Sequence, residues 1–392
     1  SKKNKSKRKK SNILVRLIKL IFKILIIMIV IICLLSGVLI GYLGVKTDWN
    51  KKEMLKLFAK ETTMMITGQT KEDINNLKPI YCLVMGVSKD IDIELTDTII
   101  VCAYYPKTQQ ASMLSIPRDT FVGNSEYSAK GSDKINSVYA ANGNDPKATL
   151  EKVEKITGLD INNYIVIDNK ALVKVIDKIG GVYFDVPINM KYDSKKQNLH
   201  INLKKGYQKI DGKKAEQLLR FRKNNNNTSY PASYGSDDYG RMRTQRDFII
   251  ETIKQTLQLK NVTKINDLIK IVFDHVDTNL KMNEVLKYIP AAVEFDIKNI
   301  ESDRLPGESE KLGPSKLWFF KQYKNKTEEV INEMFLFNEK NENDSNISIK
   351  DLKIQVLNGT GKSKEYEKII RKFEENGYNI IEGGKTSINK SS

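Results

Sequence analysis

The longest uninterrupted apolar stretch of the chain, Ile24 to Val45, carries no charge and is rich in Ile, Leu, Val and Met. About twenty such residues cross the hydrocarbon of a bilayer as a helix. Before it, Lys2 to Lys23 supply ten positive charges and no negative one; after it, Lys46, Lys51 and Lys52 are mixed with Asp48 and Glu53. That asymmetry places residues 1–23 in the cytoplasm as a basic tail and everything after Val45 outside. The run is too long for the core of a cleaved signal peptide, so a retained single-pass anchor over 24–45 is expected.

Beyond the anchor, residues 46–78 read as a stalk containing a short amphipathic helix from Lys51 to Thr70. Continuous apolar runs then predict buried strands at Pro79–Val87, Ile99–Tyr105 and Ala111–Pro117. A helix over Pro146–Thr157, a strand near Tyr164–Ile167 and a helix over Lys170–Ile179 follow, the last stopped by Gly180-Gly181. Strand Val182–Val186 leads into what reads as a polar loop reaching Gly206. Asp211 caps a short helix that delivers Arg220, and three further helical patterns cover Tyr239–Leu259, Val262–Val272 and Asn283–Ala292. This interleaving predicts an α/β domain over 79–337, a mixed central sheet flanked by helices. Residues 338–348 are almost wholly polar and read as a linker. Residues 349–392 open a small β-α-β domain, either very short or cut by the end of the chain.

Charge changes this picture in one place. Ten of the seventeen net positive charges sit in the tail, so the remainder is only mildly basic. Nucleic acid is therefore the poorest candidate partner, and the tail suits lipid head groups. The chain has ten arginines against fifty-five lysines, yet Arg220, Arg222, Arg241, Arg243 and Arg246 fall between Leu219 and Asp247. Arginine is needed where a planar fork grips phosphate or carboxylate through two parallel hydrogen bonds. Arg220 and Arg222 read as neighbours in an extended run, pointing the same way. Arg241 and Gln245 share one helix face. Together they read as a site for a dense anion such as pyrophosphate, with a solvated basic surface as the plainer alternative. Arg246 is expected to face solvent or pair with a carboxylate, and Asp238 either caps its helix or serves the site. Asp97 either closes a turn at a strand start or contributes its charge, and Trp318, Phe319 and Phe320 read as packing. Histidine-based metal sites and triads are disfavoured by a chain with two histidines. Cys82 and Cys102 read as buried thiols in strands, with pairing left open.

The motifs Thr96-Asp97-Thr98, Ser115-Ile-Pro-Arg118-Asp119-Thr120, Lys134-Ile-Asn136, Gly180-Gly181-Val182, Arg220-Phe-Arg222 and Asp238-Tyr-Gly-Arg241 with Gln245 occur in order between Ile80 and Trp318. In these motifs the chain resembles the LytR-CpsA-Psr family of membrane-anchored phosphotransferases of Gram-positive envelopes. The segment Val356-Leu-Asn358-Gly359-Thr360 resembles the small C-terminal domain some members carry. The resemblance implies that Arg118, Arg220, Arg222, Arg241 and Gln245 hold the pyrophosphate of a polyprenyl-linked glycan, and that Asp97 binds Mg²⁺. Asp119 would orient Arg118 or take part in proton transfer, and either Asp97 or Asp119 would be the base. Where the family has a second aspartate after its strand-ending glycine, this chain has Ser88, which leaves Asp90 as the candidate replacement. The implied activity moves a teichoic acid or capsule-like polymer from its lipid carrier to peptidoglycan. Hydrolysis of the same lipid, or anchored polymer binding without turnover, are the alternatives.

Overall fold

The computed structural model describes residues 36–335 apart from 91–92, 196, 259–260 and 262–263, together with residues 28, 31, 353–355, 363–375 and 379–381. Among the described residues no helix is long and apolar enough to cross a membrane. Residues 24–27, 29–30 and 32–35 of the expected span over 24–45 lie outside them, as do the linker over 338–348 and the motif from Val356 to Thr360.

Helix α1 (Lys51–Thr67) starts at Asn50, whose side chain accepts from the amides of Lys52 and Glu53. It packs with short helix α2 (Lys71–Asn75) against Ala291, and Lys60 pairs with Glu294 at 2.7 Å. Strands β1 (Ile80–Asp90), β2 (Ile93–Tyr105) and β3 (Gln110–Ser115) form an antiparallel meander. Helices α3 (Ile135–Ala141) and α4 (Pro146–Thr157) then lead into β4 (Asn163–Asp168), which pairs parallel to β1. Helix α5 (Asn169–Lys178) crosses to β5 (Val182–Val186).

The expected polar loop before Gly206 is instead a hairpin of β6 (Met190–Ser194) and β7 (Leu199–Leu203), followed by β8 (Gly206–Ile210), which pairs with β5. The alternation Leu199, Ile201, Leu203 buries one side of β7, and Asn224 and Asn225 accept from the amides of Lys191 and Asp193. Polar residues on the exposed side, Lys191, Asp193, His200 and Asn202, hide this period-two signal. Helix α6 (Gly212–Arg220) is capped by Asp211, as expected.

Helices α7 (Asp237–Thr256), α8 (Ile265–Phe273) and α9 (Met282–Ala292) come next, with the two-residue strand β9 (Asp277–Thr278) between the last two. Strand β10 (Ile300–Arg304) returns to pair parallel to β3, and β11 (Gly307–Leu312) with β12 (Leu317–Gln322) forms a hairpin before α10 (Lys324–Met334). The central sheet runs β10-β3-β2-β1-β4-β9. It is the mixed, helix-flanked α/β sheet that the patterning predicts. One core joins Leu83, Met85, Val101 and Leu114 of the sheet to Ile135, Val153 and Phe335. A second joins Phe184, Ile201, Leu218, Phe221 and Phe248. Phe319 and Phe320 are buried as expected, but Trp318 is not packed: it is 57% exposed with Lys311 over its ring. Near the C-terminus β13 (Lys353–Gln355) and β14 (Asn379–Ile381) pair in parallel, with α11 (Ser363–Glu375) between them in the chain.

Candidate anion site

Asp97 does not start a strand or close a turn. It is the extra residue of a β-bulge inside β2, because Gly86 pairs with Thr98 while Val87 pairs with Thr96. A bulge kinks its strand and re-aims one side chain out of the ladder. Gly86 permits the close approach, since a Cβ there would lie 2.9 Å from the Thr98 Cβ. The released Asp97 carboxylate accepts from the Ser88 hydroxyl on one oxygen, and Arg118 Nη1 lies 2.7 Å from the other. Burial works to raise the Asp97 carboxyl, but Arg118, Ser88 and Arg241 outweigh it and hold it below the usual carboxylate value. An anion so stabilised is a weak proton acceptor at neutral pH and a strong electrostatic anchor.

Arg118 follows Pro117, which ends β3 and turns the chain towards α3. The Asn136 amide donates to the Arg118 carbonyl, and Thr96 Oγ1 donates to the Asn136 carbonyl, so three motifs are fastened together. Asp119 is held at 2.7 Å by Lys134 Nζ, with Arg118 Nε 3.9 Å away.

The other wall is the start of α7. Gly240 fits where Gly235 and Tyr230 cross the helix: a Cβ there would lie 2.3 Å from both the Gly235 carbonyl oxygen and the Tyr230 ring. Gly240→Ala is expected to lower stability by about 1–3 kcal/mol through overpacking, read from its chemical denaturation midpoint. Arg241 is 7% exposed, with Nη2 2.7 Å from Asp238 Oδ1. The pair is close but misdirected, so Arg241 Nε and Nη2, like Arg118 Nε, are buried without a hydrogen-bond acceptor. Burial pulls the Arg241 guanidinium below its usual value, with Asp238 opposing and Arg118 adding to the shift. Arg222 reaches Asp238 only at 3.9 Å and is about half exposed.

The structure thus brings together Asp97, Arg118, Asp119, Lys134, Arg222, Asp238 and Arg241. Asp238 serves as the carboxylate partner of Arg241 rather than as a helix cap; its i,i+3 spacing is the sequence signal for that pair. Arg220 ends helix α6 rather than lying in an extended run, and it pairs with Glu216 at 3.0 Å one turn back. Gln245 Nε2 donates to the Leu219 carbonyl, fastening α7 to the end of α6. Arg246 is a correction: it is 8% exposed, and Nη1 donates to Ser115 Oγ at 2.8 Å, because this face of α7 lies over β3. The Asp90 side chain lies outside the described residues. Among the described residues no group of three or more His, Cys, Asp or Glu could hold a metal. Asp97 and Ser88 suit only a cation bound chiefly by substrate phosphates, the common mode for Mg²⁺.

The chain that carries this sheet and arginine cluster belongs to the LytR_cpsA_psr family, whose model matches residues 43–336. Among its relatives is the polyisoprenyl-teichoic acid–peptidoglycan teichoic acid transferase TagV of Bacillus subtilis, 29% identical over 62% of this chain and 60% of that protein. TagU of Bacillus licheniformis, with the same activity in its name, is 31% identical over 54% of this chain and 64% of its own length. The chain therefore spans about six-tenths of each of these relatives. The crystal structure of B. subtilis TagV superposes with a TM-score of 0.54 at 26% identity, covering 66% of this chain and 97% of that one.

Proposed function

We propose that the protein transfers an anionic glycopolymer, a wall teichoic acid or capsule-like polysaccharide, from a polyprenyl-pyrophosphate carrier to peptidoglycan. The observation that carries this reading is the buried, acceptorless N–H set of Arg118 and Arg241 beside the Asp97 carboxylate. Four cations (Arg118, Lys134, Arg222, Arg241) face three carboxylates (Asp97, Asp119, Asp238), so a pyrophosphate adds the negative charge the cluster lacks. The activity named for TagV and TagU supports the reading.

In the reaction a peptidoglycan hydroxyl oxygen forms a bond to the phosphorus next to the glycan, the bond to the lipid phosphate breaks, and the hydroxyl proton passes to a carboxylate or water. Phosphoryl transfer asks mostly for positioning and for positive charge against the developing oxyanions. Arg118, Arg222 and Arg241 supply both, and Gln245 fastens α7 to the end of α6 next to Arg220. Mg²⁺, bound to the phosphates and to Asp97, would add Lewis-acid charge. Asp97 keeps Arg118 oriented, whereas Asp119, held by Lys134, is the better placed carboxylate to receive a proton. The basic tail and the apolar run over 24–45 would hold the domain on the outer face of the membrane, where lipid carrier and wall meet.

The test uses the full chain in lipid nanodiscs with a synthetic polyprenyl-pyrophosphoryl glycan, Mg²⁺ and uncrosslinked peptidoglycan. Glycan attached to peptidoglycan in proportion to Mg²⁺ is the expected result. Release of lipid phosphate with no glycan attached would replace transfer by hydrolysis. Retention of the glycan with neither product would leave a binding module.

A further inference from the structure

Seven arginines lie between β3 and the end of β10, and six have visible work. Arg118, Arg220, Arg222, Arg241 and Arg243 each have a carboxylate within ion-pair reach, and Arg246 binds Ser115 Oγ. The seventh is Arg304, the last residue of β10. Among the described residues its guanidinium has neither a carboxylate partner nor a hydrogen bond, and Nη1 is buried without an acceptor. Its one partner is a ring: Cζ stands 4.0 Å from the centroid of Tyr239.

The position of this cation matters. Arg304 pairs in register with Ser115, three residues before Arg118 and the residue that anchors Arg246. Tyr239 directly follows Asp238, the partner of Arg241. Arg304 is therefore bracketed by the two walls of the anion site without taking part in its ion pairs. In a chain that takes its charge as lysine almost everywhere, an arginine stacked on an aromatic face keeps its planar fork oriented and its edge donors free. A stacked guanidinium next to a pyrophosphate site would meet the first sugars of the polymer, which are bonded directly to that pyrophosphate.

We propose that Arg304, held by Tyr239, is a specificity-determining residue that binds an anionic substituent, a phosphodiester or a carboxylate, on the transferred glycan close to its pyrophosphate. This rests on the pyrophosphate reading of the neighbouring site. It means that the protein selects anionic over neutral polymers at the start of the chain and not only through total charge.

The test measures affinity of the full chain in nanodiscs for three synthetic polyprenyl-pyrophosphoryl disaccharides: one neutral, one bearing a phosphodiester and one bearing a uronic carboxylate. The wild type is expected to bind one anionic donor about tenfold more tightly than the neutral one, as a charge-assisted contact implies, and the two anionic arms tell which group it reads. Arg304→Gln is expected to bring that ratio near one, and Arg304→Lys to keep only part of it. Equal affinity for all three donors would overturn the proposal. So would a preference that survives Arg304→Gln, or a loss that weakens all donors by the same factor. Binding of none would refute the pyrophosphate site itself and this inference with it. Binding with the preference but no glycan transfer would refute the transferase activity and leave Arg304 as a selective contact.

Discussion

Arg241→Lys is expected to lower glycan transfer by about 10²–10³-fold, the usual cost of one lost transition-state donor, with a smaller change in donor affinity. The physical reason is geometric. Arg241 is enclosed between Asp238 and the Asp97–Arg118 pair, and two of its nitrogens lack acceptors before substrate arrives. Lysine keeps the charge but presents a point ammonium that cannot reproduce a two-pronged contact. A variant that retains half its turnover in a single-turnover assay would mean that the phosphate sits elsewhere.

Asp97→Asn is expected to be nearly as damaging, a loss of about 10²-fold or more in the same assay, and to remove most of the response to Mg²⁺. Asparagine preserves shape but frees Arg118 from its only 2.7 Å carboxylate. The pH dependence separates this from a general-base role. The folded-state carboxyl is depressed, so its stabilising effect is complete above the unfolded value of about 3.9 and fades as pH falls through the lower folded value. The melting temperatures of wild type and Asp97→Asn should therefore differ at pH 7 and converge in acid below that window. A wild-type transfer rate that falls with a single ionisation near pH 6–7, absent in Asp97→Asn, would instead make Asp97 the base.

Much of this is legible in the sequence for a plain reason: its signals are local. Arginine crowding between Leu219 and Asp247 marks the α7 wall, and the strand and helix periods mark β1, β3, α4 and α5 to within a few residues, whereas β2 begins six residues before the expected Ile99 and so takes in Asp97. The hidden part depends on register. The bulge that releases Asp97 exists only because Gly86 and Val87 skip a residue across a ladder. Arg246 reads as a surface residue because its acceptor, Ser115, is 131 positions away. Arg304 lies far outside the arginine cluster of the sequence, amid acidic neighbours, and only the return of β10 to β3 brings it to the site. The β6–β7 hairpin is masked by polar residues on its exposed side.

The placement of β10 also bears on how the molecule is made. A chain emerging from its N-terminus completes the β1–β3 meander by residue 115, but the outer edge of β3 stays unpaired until residues 300–304 appear. During that interval the nascent protein carries an open strand edge, a ready template for mispairing with another chain. Closing it demands a long loop and is correspondingly slow. A product ending anywhere between those points would lack Arg304 and keep that edge exposed, so it would meet quality-control proteases as an aggregation hazard rather than persist as a smaller version of the protein.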